Sequence, residues 1–370
     1  MTTAMEAPGE VLAQLRATVR RLFADKSSEA DVRRTMESAE GYDVSLWQQL
    51  SDVGLTGLLV GEEYGGAGLG PRELGGVMEE AGAALYCGPL FSSAVLAAEL
   101  LKHSDDGPAR ARLLPGIASG STIATAALTG PAGTWTVDGV AVTAEPGPAP
   151  TLSGTASYVT FGNIADVVLV VARRGAEIGL FEVDPSDSSV TVTPNKTVDL
   201  TLRLATLEFH GTPAKPIAIS GWDAVERALD VARVALASEQ AGAASRLFDM
   251  TVEYIKNRFQ FGRAVGGFQA LKHMAADLYI ERESAISAAR NAADALASGS
   301  PGAREAINLA AFACKDSFSK IAFDAVQMHG GIAFTWEFPV HLYLRRARST
   351  AQLLGAPDLY RERYLQILEA

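Results

Sequence analysis

The residues whose types and spacing suit them to chemistry fall mostly in two short segments of the 370-residue chain. The first, NRFQFGRAVGGFQALKHMAADL, holds Arg258, Phe261, Gly262 and, a short loop later, Phe268 and Gln269. An arginine there offers a planar fork of donors that matches a phosphate or carboxylate. The second, QMHGGIAFTWEFPVHLYLRRAR, holds Gln327 and the pair Gly330-Gly331, where the missing Cβ lets another group approach the backbone. Each has a plainer reading. Arg258 could be a surface charge or an ion-pair partner, the glycine pair a helix-ending turn, and His329 a packed, hydrogen-bonded imidazole. For proton transfer the chain offers Glu239, a lone carboxylate in the alanine-rich run ALASEQAG. It is either a base or a buried glutamate satisfied by the donors of a neighbouring helix.

Other chemistries lack their residues. Cys87 and Cys314 stand far apart in apolar surroundings, and the five histidines have no HxxxH or CxxC spacing, so neither a metal site nor a disulfide is expected. The loop EEYGGAGLG does not have the GxGxxG spacing of a dinucleotide fingerprint and reads as a tight connection. A net charge of −11 argues against nucleic acid, although a few local arginines can still make a positive pocket for a small anion. No apolar run reaches membrane-spanning length, and MTTAMEAPGEVLAQLRATVRRLFADK reads as an amphipathic helix without the apolar core of a signal peptide. A cytoplasmic protein with no membrane or nucleic-acid partner is expected.

Three textures must position these residues. From 1 to 120 the apolar residues recur at helical intervals, as in VLAQLRATVRRLF and in DVSLWQQLSDVGL, which opens on a cap at Asp43 or Ser45. From 121 to 218 short β-branched runs such as TWTVDGVAVTAEP and YVTFGNIADVVLVVAR alternate with turn residues, predicting an antiparallel barrel or sandwich. From 219 to 370 the helical period returns in three long segments suited to close packing in a four-helix bundle that drives oligomerisation. The fold class is therefore α+β, in the order helical, β, helical.

Four blocks in this order resemble the acyl-CoA dehydrogenase family across essentially the whole chain: EEYGGAGLG, YVTFGNIADVVLVVAR, the RxxFG segment from Arg258, and QMHGG followed by RRAR, where the family has RDAR. The resemblance implies an FAD-dependent α,β-dehydrogenation of an acyl-CoA thioester, with electron-transferring flavoprotein as oxidant. It implies that Arg258, Phe261 and Gln269 meet an FAD held largely by a neighbouring subunit. Gln327, Gly330 and Gly331 become contacts on the adenine and pyrophosphate side, and Thr160 a contact to the flavin ring. Tyr158 stands where the family has tryptophan.

The catalytic carboxylate does not carry over. By spacing, Leu354 takes the place of the usual glutamate and Ala356 that of the following threonine, while the alternative base position on the first long helix falls at Ala232. Glu239 lies seven residues beyond, about 10 Å along the axis on roughly the same helix face. The barrel loop ALTGPAGTWTVDG keeps Thr129 but lacks the serine and acid of the family's TEPGAGSD. These departures favour one subunit of a heteromeric enzyme, like the base-lacking chains of actinobacterial sterol-degrading members. That subunit would complete an FAD site while its partner supplies the base. The alternatives are a self-sufficient homo-oligomeric dehydrogenase using Glu239, a flavin monooxygenase on the same fold, and a purely structural subunit.

Overall fold

The computed structural model describes residues 8–145, 147 and 149–369; residues 1–7 of the expected N-terminal helix lie outside that range. Helix α1 (Pro8–Lys26) leads into α2 (Glu29–Glu37), capped by reciprocal hydrogen bonds between Ser28 and Asp31. Asp43 caps α3 (Val44–Asp52), its Oδ1 accepting from the amides of Ser45 at 2.8 Å and Leu46 at 3.0 Å. Pro71 opens α4 (Pro71–Ala83), where the Gly70 amide donates to Glu73. A π-helical stretch, Leu90–Ala97, runs into α5 (Ala98–Lys102), and α6 (Gly107–Ala118) ends the first helical region.

The middle region holds β1 (Ala124–Ala127), β2 (Thr143–Ala144), β3 (Thr151–Thr160), β4 (Val167–Arg174), β5 (Glu177–Val183), β6 (Val190–Pro194), β7 (Leu204–Pro213) and β8 (Lys215–Ile217). They form one sheet in the order β6-β7-β3-β2-β4-β5-β8, with β1 also on β4. The pairing is antiparallel except at β4, which takes both β1 and β2 in parallel. Long β-branched strands such as β4 are buried along most of their length, which is why they read as near-continuous apolar runs.

The last region is built on α7 (Gly221–Asn257), a hairpin of β9 (Phe259–Gln260) and β10 (Arg263–Ala264), α8 (Gln269–Ala297) and α9 (Ala303–His329). Helices α10 (Val340–Gln352) and α11 (Pro357–Glu369) pack on α9. Alanines at 237, 241, 285, 289, 292 and 310 fill the seam between the long helices, and small residues let the backbones come close. The tightest approach joins the two helical regions. A Cβ at Gly82 in α4 would strike the Glu239 carbonyl of α7, and one at Gly242 in α7 would strike the Glu79 carbonyl of α4. That crossing places Glu239 in the interior, where only 8 % of its surface remains exposed.

Candidate functional site

Arg258 caps the C-terminal end of α7, its amide bonded to the Tyr254 carbonyl, and its side chain is exposed. The hairpin that follows turns at Phe261 (φ 53°) and Gly262 (φ 78°). Phe261 is 91 % exposed. Phe261 and Gly262 are the two loop residues between the paired Gln260 and Arg263, a hairpin that requires positive φ at both; a phenylalanine is uncommon there. The Arg263 guanidinium lies 3.9 Å from the centre of the Phe268 ring, fixing the hairpin against the entry to α8. Gln269, the first residue of α8, is exposed.

The end of α9 comes to the same place. The Tyr254 hydroxyl, one turn before Arg258, donates to the His329 carbonyl at 3.2 Å, and the two rings stack at 4.3 Å. Gln327 is exposed on the last turn, and Gly330 (φ 67°) ends the helix in a conformation that favours glycine. Gly331 has no such backbone reason, and a Cβ there would meet nothing in this chain. The space beside it is open to a group from outside. His329 is buried, with Nδ1 on the Ala325 carbonyl at 2.7 Å, and burial lowers its pKa from the usual imidazole value. Its ring packs against Tyr254 and Phe338. Arg258, Phe261, Gln269, Gln327, Gly330 and Gly331 thus lie around one end of the bundle, joined by the contact of Tyr254 with His329.

The residues read from the β region form a second group. Thr129 pairs with Ser157 in an isolated bridge, and its hydroxyl donates to the Thr134 carbonyl at 2.6 Å. A register shift between Ala156 and Val159 puts Tyr158 at φ 58°, half-exposed, with its hydroxyl donating to the Pro131 carbonyl at 3.3 Å. Thr160 is buried at the end of β3, and its carbonyl accepts from the Thr125 hydroxyl. No hydrogen bond, ion pair or aromatic contact among the described residues links this group to the helical end.

At the two positions that the sequence resemblance assigns to a base, the chain has built core. Leu354 is 1 % exposed and Ala232 is fully buried, and both belong to one apolar cluster with Phe91 and Leu229. The loop around Leu354 keeps an unusual backbone, φ 61°, and is pinned from below. The Tyr360 hydroxyl donates to the Leu354 carbonyl, and the buried Lys315 ammonium donates to the carbonyls of Leu353 and Gly355. The carboxylates nearest Ala232 in sequence are engaged: Glu226 and Asp230 both bind Arg233, at 2.8 and 2.6 Å.

Glu239, read from the sequence as a candidate base, has its carboxylate taken by Arg346 of α10 at 2.5 Å. Arg346 also lies 3.2 Å from Asp199 and donates to Thr201 and to the Tyr86 carbonyl. A base must be free to reach its substrate proton; this carboxylate is the counter-ion of a buried guanidinium. Sequence reading missed Arg346, although a signal was there, since it occupies the acidic place of the RDAR pattern. Arg263 was missed as well, its stacking on Phe268 being visible only in three dimensions.

Among the described residues no cluster of metal-ligating side chains occurs, and no helix is long and apolar enough to cross a membrane. Cys87 and Cys314 are free and buried, and burial pushes each thiol up to about 12, outside the reactive range.

Two family models match the chain: acyl-CoA dehydrogenase, N-terminal domain, over residues 10–121, and acyl-CoA dehydrogenase, C-terminal domain, over residues 220–367. The chain is 37 % identical over 352 residues to the acyl-CoA dehydrogenase IpdE2 of Mycobacterium tuberculosis, covering 95 % of each protein. It superposes on a chain of the Tcur3481-Tcur3483 steroid ACAD variant with a TM-score of 0.87 at 31 % identity, covering 98 % of each. It also superposes on a chain of the ChsE4-ChsE5 complex of M. tuberculosis with a TM-score of 0.89 at 27 % identity, covering 100 % of this chain and 99 % of that one. With the α–β–α fold and the motif segments in place, the chain belongs to the acyl-CoA dehydrogenase family of flavoprotein oxidoreductases.

Proposed function

We propose that this chain is the flavin-completing, base-lacking subunit of a heteromeric acyl-CoA dehydrogenase, one unlike chain supplying the catalytic carboxylate. The observation that carries the reading is a contrast. The positions of the family's base, Leu354 and Ala232, are sealed into the apolar core, while Phe261 and the backbone at Gly331 stand open at the end of the bundle. Those residues fit an FAD approaching from a neighbouring subunit. Arg258 would hold the pyrophosphate with its fork of donors, Phe261 and Gln269 would flank the cofactor, and Gln327, Gly330 and Gly331 would face its adenine side. Bound there, FAD supplies the acceptor for the β-hydride of the thioester. This chain's part is to bind, orient and exclude water.

Thr129 and Thr160 are assigned to flavin contacts on the β side, although the Thr129 hydroxyl is already satisfied within its own turn. The regions 1–120, 121–218 and 219–370 act as N-terminal helical, central β and C-terminal oligomerisation units on this reading. Two solved relatives with two-part names support pairing with an unlike chain, and one of them is called a steroid ACAD, so a steroid-derived acyl-CoA is the first substrate to try. Electron-transferring flavoprotein is the proposed acceptor and the cytoplasm the proposed setting. Glu239 is assigned a structural role.

The test is the visible flavin spectrum of the chain purified alone and after co-expression with a base-bearing paralogue. Flavin only in the complex, lost on Arg258→Ala with the complex still assembled, is the expected result. Stoichiometric flavin in the chain alone, bleached by an acyl-CoA, would overturn the proposal and return the search for a base to this chain.

A further inference from the structure

A cleft of about 950 Å³ lies between α1, α2 and α4 on one side and α7, α8 and α10 on the other. That is the size of a pocket taking one drug-sized or lipid-sized molecule. None of Arg258, Gln327, Gly330, Gly331, Thr129 or Thr160 lines it, although Arg246, Asp249 and Met250 also border the smaller cleft that contains Arg258. Ala24, Met250 and Ile286, which are not buried, supply its apolar surface, with Phe23, Val32, Leu85 and Leu342 almost wholly covered behind them. The arginines around it are not equivalent. Arg16, Arg20 and Arg290 share Glu79 and Glu80 at 2.6 to 2.9 Å, so each has a carboxylate partner although the cluster keeps one positive charge. Arg282 donates to the Ser245 hydroxyl at 2.8 Å and shares Asp249 at 3.5 Å. Arg246 lines the cleft beside Tyr343 and has no carboxylate partner among the described residues.

We propose that this cleft binds a molecule with an apolar body and a single carboxylate. The head would lie on Arg246, with Arg282 and Ser245 alongside, and the body on the apolar walls. A guanidinium fork suits a carboxylate, and burial of the body supplies most of the affinity. A multiply charged head is disfavoured, because Asp249 and Glu29 line the same cleft and repel it. The proposal concerns a ligand other than FAD, in a cleft that adjoins the one beside Arg258.

The experiment is isothermal titration of the full-length chain in its native assembly with four probes: dodecanoate, the steroid carboxylate cholate, uncharged dodecanol and coenzyme A. Saturable binding of a carboxylate at one site per chain is expected, weakened about ten-fold by Arg246→Ala and partly restored by Arg246→Lys. Dodecanol should bind more weakly and be indifferent to either change. Because Arg246 is exposed, neither variant should shift the melting temperature, which keeps loss of binding distinct from loss of fold. Binding of dodecanoate alone assigns aliphatic acids to the cleft, and binding of cholate alone assigns steroid acids. Absence of carboxylate binding, unchanged binding in Arg246→Ala, or tighter binding of coenzyme A would each overturn the proposal.

Discussion

Substituting Glu239 separates a structural carboxylate from a catalytic one. Its Oε1 lies 2.5 Å from Arg346, and both side chains are almost wholly buried. Removing one member of a buried pair leaves the other charge unpaired, at a cost of about 3–5 kcal/mol. Here Asp199 still lies 3.2 Å from the same guanidinium, which places Glu239→Ala near the lower end, about 3 kcal/mol. For a single cooperative unit of 370 residues the shift is roughly 1.3 °C per kcal/mol, so the melting temperature should fall by roughly 4 °C. Glu239→Gln keeps an oxygen acceptor and should cost less, about 1–2 kcal/mol. The assay pairs thermal melting with single-turnover bleaching of flavin by acyl-CoA in the assembled enzyme. Both variants should lose stability in that order, and the folded fraction should bleach at the parental rate. If Glu239→Gln has the parent's urea midpoint yet bleaches about 100-fold more slowly, the carboxylate is chemical and the structural assignment is wrong.

Three further outcomes follow from the same geometry. Gly242→Ala should destabilise by about 1–3 kcal/mol or more, since its Cβ meets the Glu79 carbonyl; a urea midpoint equal to the parent's would show that the α4–α7 crossing is not this tight. Leu354→Glu should not create a dehydrogenase but bury a carboxylate in an apolar cluster, lowering soluble yield and melting temperature; acyl-CoA turnover by that variant alone would contradict the sealed-core reading. Burial lowers the pKa of both His329 and His341, so the unfolded chain takes up protons first. Their contribution is therefore full above the ordinary imidazole value of about 6.5 and is lost as pH falls below it. Melting curves between pH 8 and 5 should show this, and His329→Gln should flatten the slope.

Much of this was legible in the sequence because it depended on local pattern. The Asp43 cap, the proline opening α4, the long helices and the β-branched strands each follow from residue order within one element. Arg258 and Phe261 could be singled out as candidates because they fall in one contiguous segment, and Gly331 because it falls in another. What resisted reading was contact between distant segments. The parallel pairing of β1 and β2 with β4 is set by crossover and not by composition. Glu239 stayed open between a base and a satisfied buried glutamate because its partner lies 107 residues away, and the cleft around Arg246 draws on six helices. An ion pair of that separation leaves no trace in periodicity, only a charge out of place at Arg346.

That guanidinium has a consequence for how the molecule comes apart. It touches Tyr86 from the first helical region, Asp199 and Thr201 from the loop before β7, and Glu239 from the first long helix of the last region. A fragment ending at any of the region boundaries would strand either the cation or its acceptors in an apolar interior. The three regions are thus mechanically interlocked at one atom cluster and should melt in a single cooperative step. Dissection into separately expressed pieces would then yield insoluble material, where a modular chain would give folded parts.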